Sequence, residues 1–163
     1  MTSSPQVTAA TWACIRGRQL LVVRPHGRDA FFLPGGVPEP GETPAEATAR
    51  EVAEEVGIEV RPDELTLFTE IVSAAYGRPG TVRLVCYTGP STAVPTATGE
   101  IAEVAWFTAA DAGRCAGAVQ QLIAQLVECG LLDGPHGSTL EDGQPRAGKG
   151  PAGQPEARVS RTC

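Results

Sequence analysis

The sequence predicts an α/β fold, a mixed central β-sheet covered by helices on both faces, and three observations carry that prediction. Apolar and β-branched runs of strand length recur along the chain. Two other segments repeat their apolar residues at helical spacing. The order of these elements puts one helix after the third strand and another at the end, so one sheet can be covered on each side.

Residues 7–15 form the first apolar run, Arg16-Gly17 turns the chain, and residues 19–24 return it, which reads as a β-hairpin. After a loop over residues 25–30, Phe31 to Leu33 reads as a short strand. It leads into Pro34-Gly35-Gly36, where adjacent glycines allow positive φ and close backbone approach to a ligand. Thr43-Pro44-Ala45-Glu46 then carries a capping-box pattern, with Thr at N-cap, Pro at the first helical position and Glu at the third. Ala45, Ala47, Ala49 and Ala53 favour a helix, and Gly57 suits the left-handed residue that ends one. A helix is therefore expected from about Pro44 to Val56. Ala45, Ala49, Val52 and Val56 fall within about 60° of arc and form its expected buried face.

Residues 65–76 and 81–88 read as two further strands joined by Gly77-Arg78-Pro79-Gly80. A polar loop over residues 89–99 precedes a strand at 103–108. Residues 111–130 carry Val119, Leu122, Ile123, Leu126 and Val127 at i, i+3, i+4, i+7 and i+8, the stripe of a second amphipathic helix. Residues 1–133 thus read as one domain. The last 30 residues, 134–163, hold six Gly and four Pro, with Leu140 and Val159 the only large aliphatics. Such a tail buries too little apolar surface to order itself and is expected to be a disordered extension without a catalytic role.

At 163 residues, 42% hydrophobic and 20% charged, the chain has room for one real core. Its net charge of -6 argues against a nucleic-acid polymer or an anionic membrane as partner. The five cysteines are odd in number and show no C-x-x-C spacing, so neither a disulfide framework nor a zinc ribbon is indicated. Cys14, Cys86 and Cys129 sit in apolar runs and read as reduced core residues. No basic-then-apolar leader opens the sequence, and no apolar run approaches the ~18 residues of a membrane span. Cytoplasm is the expected location.

The expected first helix carries the chemistry. Glu51, Glu54 and Glu55 lie at i, i+3 and i+4 and share one face, within about 100° of arc, with only small Ala47 beside them and Arg50 at the edge. Like charges at this spacing destabilise a helix by a few tenths of a kcal/mol per pair. A bound divalent cation reverses that sign, and an all-oxygen carboxylate site suits Mg²⁺ or Mn²⁺ rather than zinc. The bland alternative is a solvated acidic face with Arg50 bridging Glu46 and Glu54. Residues at fixed distances outside the face decide between the two.

Gly36 is followed after five residues by Glu42 and after seven more by Arg50-Glu51; Val52, Glu54-Glu55 and Gly57-Ile58 complete the pattern G-x5-E-x7-R-E-U-x-E-E-x-G-U, U being a bulky aliphatic. All nine specified positions are filled, and a chance match is on the order of 10⁻⁹ per window at average composition. The segment resembles the Nudix box of the Nudix hydrolases, and the resemblance extends in order over roughly residues 7–133. It implies a Nudix-type α/β/α sandwich and a metal-dependent pyrophosphohydrolase acting on a small nucleotide, with Mg²⁺ as cofactor and Mn²⁺ as a substitute. It implies metal ligation by Glu51, Glu54, Glu55 and the carbonyl of Gly35, with Glu51 or Glu54 as general base. Arg50 and Glu42, with Gly36, are expected to support the site by orienting the glutamates and the loop–helix junction. A homodimer stays open under the same resemblance.

The same resemblance implies a further catalytic or metal-binding carboxylate from the loop before an aromatic strand; Glu100, six residues before Trp106, is the choice and Glu103 the competitor. Arg16, Arg18, Arg24, His26 and Arg28 gather near the first turns and read as a solvated charge run, from which one or two could hold phosphates. Phe31, Tyr76 and Trp106 are candidate platforms for a base, though strand aromatics are more often core or rim residues. No substrate-binding residue is assigned. The four-cysteine zinc motif and SQPWPFP-like stretch of NADH pyrophosphatases are absent. Ser73, Ala74 and Ala75 stand where ADP-ribose hydrolases often carry a proline. A nucleoside triphosphate or another nucleoside diphosphate derivative is the expected substrate, oxidised-nucleotide cleaning included. The alternative from another class is a non-catalytic Nudix domain that senses a nucleotide metabolite; such domains usually have degraded boxes.

Overall fold

A computed structural model describes residues 4–135 and shows how the first run divides. Strand β1 (Gln6–Trp12) does not fold back on itself. Ala13 still donates its N–H to the Tyr87 carbonyl, whereas the next carbonyl, Cys14, accepts from Leu21, so the chain crosses here from one sheet to another. Only β2 (Ile15–Arg16) turns through Gly17 and Arg18, at φ 52° and 62°, into β3 (Gln19–Pro25). The expected hairpin is therefore two residues long on its first side, with the left-handed turn that matches strand twist.

Phe31 to Leu33 is not a strand. Phe32 exchanges both backbone hydrogen bonds with Val23, and Phe31 bridges to Cys115, as isolated contacts. The pairing segment is instead β4 (Gly35–Gly36), antiparallel to β1. The expected strands downstream are present as β5 (Thr66–Ala74), β6 (Thr81–Thr88) and β7 (Ile101–Phe107). They form a mixed four-stranded sheet, β4-β1-β6-β5, with β1 parallel to β6, and an antiparallel three-stranded sheet, β2-β3-β7.

Helix α1 (Pro44–Val56) has the expected ends. Thr43 Oγ1 accepts the Glu46 N–H at 3.1 Å, and Gly57, at φ 67°, returns its N–H to Ala53. Its buried face is rotated from the one expected: Ala47, Thr48, Val52 and Val56 are buried, while Ala45 and Ala49 are only half-buried. Thr48 tolerates burial because its hydroxyl donates to the Pro44 carbonyl at 2.9 Å. The rotation brings Glu51 and Glu55 to the border of the core.

Helix α2 (Gly117–Glu128) starts six residues later than expected, after a 3-10 turn at Ala109–Arg114. Cys115 and Ala116 leave the helix because this stretch bonds Phe31: Phe31 N–H to the Arg114 carbonyl, and Ala116 N–H to the Phe31 carbonyl, both 3.0 Å. Val119, Leu122, Ile123 and Leu126 are buried as the stripe required.

The two helices cover opposite faces. Along β3, Leu20 and Val22 join the α2 residues Val119, Leu122 and Leu126 in one core. Leu21 and Val23 join Val52 and Val56 of α1, with Trp12, in a second. A strand buried on both faces with strict alternation is the signature of a sheet inside a sandwich, and it bears out the α/β prediction. Cys14 and Cys86 are buried free thiols, as expected, and so is Cys115. Cys129 is half-buried and disulfide-bonded, which corrects its reading as a reduced core residue. No helix among the described residues is long and apolar enough to cross a membrane. The tail reading for 134–163 lies, beyond residue 135, outside the described residues.

Candidate active site

The rotation of α1 divides its three glutamates by environment. Glu54 projects into solvent, its side chain 60% exposed, whereas Glu51 is 19% exposed. Glu55 is more deeply placed, with Oε2 accepting the Gly35 N–H at 2.9 Å. Burial pushes the Glu55 carboxyl up to about 8; the Gly35 N–H opposes this, while the charges of Glu51, Glu100 and Glu54 add to it. Glu51 is raised as well, first by burial, against the opposing hydrogen bond and charge of Arg50, with Glu54 and Glu100 contributing repulsion.

Glu100 therefore stands in the same electrostatic cluster as the helix glutamates, and Glu103 does not. Glu103 faces away along β7, where Arg24 Nε donates to its Oε2 at 3.1 Å. What brings Glu100 to α1 is a strap that sequence reasoning missed. Thr96 N–H bonds the Val56 carbonyl at 2.9 Å, Thr98 N–H the Glu55 carbonyl at 3.0 Å, and the Thr98 hydroxyl the Glu54 carbonyl at 2.6 Å. Three carbonyls at the helix end are satisfied by a loop rather than by water. The Thr-rich run before Gly99 was the visible signal, but it did not name the partner.

Arg50 ties the loop to the helix. Its Nε and Nη2 grip both oxygens of Glu42 at 2.9 and 3.0 Å, and Nη1 donates to Glu51 Oε1 at 2.8 Å. Glu54 lies 3.5 Å away, and Glu46 takes no part, so the bridge from Glu46 to Glu54 is absent. The Arg50 hydrogen bonds hold the Glu42 carboxyl below its usual range, helped by the Glu39 N–H. Gly36 leaves room for this: a Cβ there would lie 2.5 Å from Glu51 Oε1.

Four carboxylates with one guanidinium among them leave excess negative charge in a half-buried place. That donor set, oxygen only and hard, fits a divalent cation of the Mg²⁺ type. Among the described residues no three acidic, His or Cys side chains are already closed around one point. Glu51 instead accepts from Arg50, and Glu55 from the Gly35 N–H.

Beside the cluster lies a cavity of about 320 Å³, lined by Gly35 and Glu55, by apolar residues of both sheets, and by Phe32, Tyr76, Arg28 and Arg78. Of the candidate platforms, Phe31 is buried against Phe107, and Trp106 lies under the Arg16 guanidinium. Tyr76 alone lines the cavity, its ring edge-on to Phe32 at 5.6 Å.

The NUDIX domain family model matches residues 5–126. The chain belongs to the Nudix hydrolase family. A MutT-like protein of Streptomyces ambofaciens is 36% identical over 123 residues, 72% of each chain. An uncharacterized Nudix hydrolase, orf19, of Rhodococcus erythropolis is 39% identical over 90 residues, 50% of this chain and 47% of that one. Among solved structures, the MutT protein of Methanosarcina mazei Go1 superposes with a TM-score of 0.65 at 19% identity, over 77% of this chain and 96% of the other. The dihydroneopterin triphosphate pyrophosphohydrolase of E. coli gives 0.60 at 23%, over 75% and 95%. At such identities these structures are alike in fold, and the Nudix sandwich is that fold. Nudix hydrolases act on pyrophosphate bonds in nucleotide derivatives, generally with divalent metal ions.

Proposed function

We propose that this Nudix hydrolase is a Mg²⁺-dependent pyrophosphohydrolase, with Mn²⁺ able to substitute, acting on a nucleoside triphosphate or a nucleoside diphosphate linked to another group. The observation that carries the reading is the mutual repulsion of Glu51, Glu54, Glu55 and Glu100 around Arg50, with Glu55 and Gly35 opening onto the adjoining cavity. Glu51, Glu54, Glu55, Glu100 and the Gly35 carbonyl hold the metal. When bound, it neutralises the diphosphate and lowers the pKa of water, the two services that anhydride hydrolysis needs at neutral pH.

Glu54 takes the proton of the attacking water. Glu51 has one oxygen committed to Arg50 and Glu55 has one committed to Gly35, whereas Glu54 meets Arg50 only at 3.5 Å and keeps its lone pairs. Arg50 and Glu42 do not touch substrate; they orient Glu51 and pin the loop that carries Gly35 and Gly36. Residues 1–133 form the catalytic domain, closed by buried Leu132 and by the ion pair of Asp133 with Arg18. A panel of nucleoside triphosphates, oxidised forms included, and nucleoside diphosphate esters tests the reading, with release of phosphate, pyrophosphate or nucleoside monophosphate followed in Mg²⁺ and in EDTA. Absence of metal-dependent turnover across the panel overturns it.

A further inference from the structure

Five of the nine described arginines, 18, 24, 50, 61 and 83, pair with carboxylates. Arg16 and Arg114 lie over aromatic rings. Arg28 and Arg78 alone among them have neither kind of partner, and both line the cavity that also carries Glu55. In a chain of net charge -6, two uncommitted cations on the wall of one cavity call for an anion.

Strand register fixes where they stand. Gly35 is opposite Thr11 of β1, and Thr81, just after the turn that holds Arg78, is opposite Gln6. Five residues of β1 separate the two, about 17 Å at strand rise. Arg28 reaches the same turn: a Cβ on Gly77 would lie 3.4 Å from its Nη1. The turn and the Arg28 loop are joined by the Tyr76 hydroxyl, which donates to Asp29. Asp29 lies beside Arg28 at this end and feels its charge, but one of its oxygens accepts from that phenol and, among the described residues, it forms no ion pair with either guanidinium. Between the ends the wall is mostly small and apolar, with Ala9, Ala74, Val82 and Leu84.

We infer that Arg28 and Arg78 form a second anion site, across the cavity from the carboxylates, that selects a nucleoside diphosphate derivative bearing a further phosphate monoester on its sugar. The inference rests on the proposed hydrolase reading for the scissile end and narrows its substrate class. A cationic end, an apolar middle and a metal-binding end match a molecule whose two phosphate groups are held apart by one sugar. Arginine suits the second group because its planar fork takes phosphate oxygens in pairs.

Adenosine 2′,5′-bisphosphate and adenosine 3′,5′-bisphosphate, compared with AMP, read the second site alone, since none of the three has an anhydride to cleave. Titration calorimetry on the full chain with Mg²⁺ should give at least one bisphosphate about tenfold tighter than AMP, the effect of one net charge-assisted contact. The ratio should shrink as salt is raised. Arg28→Gln and Arg78→Gln should each bring it towards one, and Arg78→Lys should keep part of it while preserving charge. Both bisphosphates binding no tighter than AMP, or an unchanged ratio in folded Gln variants, overturns the inference. Failure of the hydrolase reading has a different signature, the absence of metal-dependent turnover on every diphosphate.

Discussion

Gly36 and Glu51 share one space: a methyl group on Gly36 would sit 2.5 Å from Glu51 Oε1 and 2.6 Å from its Cδ. The glycine is required by a side chain, not by backbone conformation, since its φ lies outside the left-handed region. Its neighbour Gly35 is the opposite case, at φ 152° with a Cβ that would meet the Ala10 carbonyl at 2.2 Å. Gly36→Ala should displace Glu51 and lower kcat roughly 10²-fold, as misplacement by about 1 Å does, with a near-normal melting temperature. Gly35→Ala should instead cost stability, on the order of 1–3 kcal/mol or more, because backbone meets backbone. Thermal unfolding and steady-state kinetics on both variants separate the two roles.

The helix glutamates and the two loop carboxylates should part company in kinetics. Glu54→Gln and Glu55→Gln should each lower kcat at least ~10²-fold with the fold intact. Glu100→Gln should cost activity, whereas Glu103→Gln should cost little, because Glu103 pairs with Arg24 on another face. EDTA should abolish turnover and Mg²⁺ or Mn²⁺ restore it. Near-normal rates in folded Glu54 and Glu55 variants would favour the sensor alternative.

Without metal, stability should fall as pH rises. Glu55 binds its proton up to about 8 in the folded chain, against an ordinary 4.5, chiefly because ionisation in a buried place is costly. The folded state thus holds more protons than the unfolded one between these values. Its stabilising contribution is complete below about 4.5 and is lost as pH climbs through 8. Melting curves in EDTA from pH 5 to 8 should show this decline, and Glu55→Gln should flatten it. Saturating Mg²⁺ should do the same in wild type by compensating the charge. A flat profile in EDTA would show that Glu55 ionises freely.

Arg50→Lys should be far from conservative. A lysine cannot hold both oxygens of Glu42 while donating to Glu51, so the loop–helix junction and the Glu51 orientation loosen together. The expected loss is roughly 10–100-fold in activity or metal affinity, the usual cost of disturbing an outer partner of a metal site. The melting temperature should fall too. An effect on stability without one on metal affinity, measured by Mn²⁺ titration, would confine Arg50 to the fold.

Local rules sufficed wherever structure depends on neighbours in sequence. Thr43, Pro44 and Gly57 set both ends of α1, and the i, i+3, i+4 spacing put Glu51, Glu54 and Glu55 on one side of it. The stripe from Val119 to Leu126 marked α2, and apolar, β-branched runs marked the strands. The nine-position pattern was strong enough to identify the family before any coordinate. Tertiary structure decided the rest, because it depends on partners far along the chain. Parallel pairing of β1 with β6 split the expected hairpin, and Phe31 pulled Cys115 and Ala116 out of the expected helix. Periodicity chose Ala45 and Ala49 for the core and left Ala47 beside the glutamates; packing against the sheet buried Ala47 and Thr48 instead and so half-buried Glu51 and Glu55. Spacing alone could not rank Glu100 above Glu103 with any physical reason. The Thr98 strap, which ties the loop before Glu100 to the end of α1, and the Arg24 pair, which holds the Glu103 carboxylate, supplied one, because each is a contact more than 40 residues away.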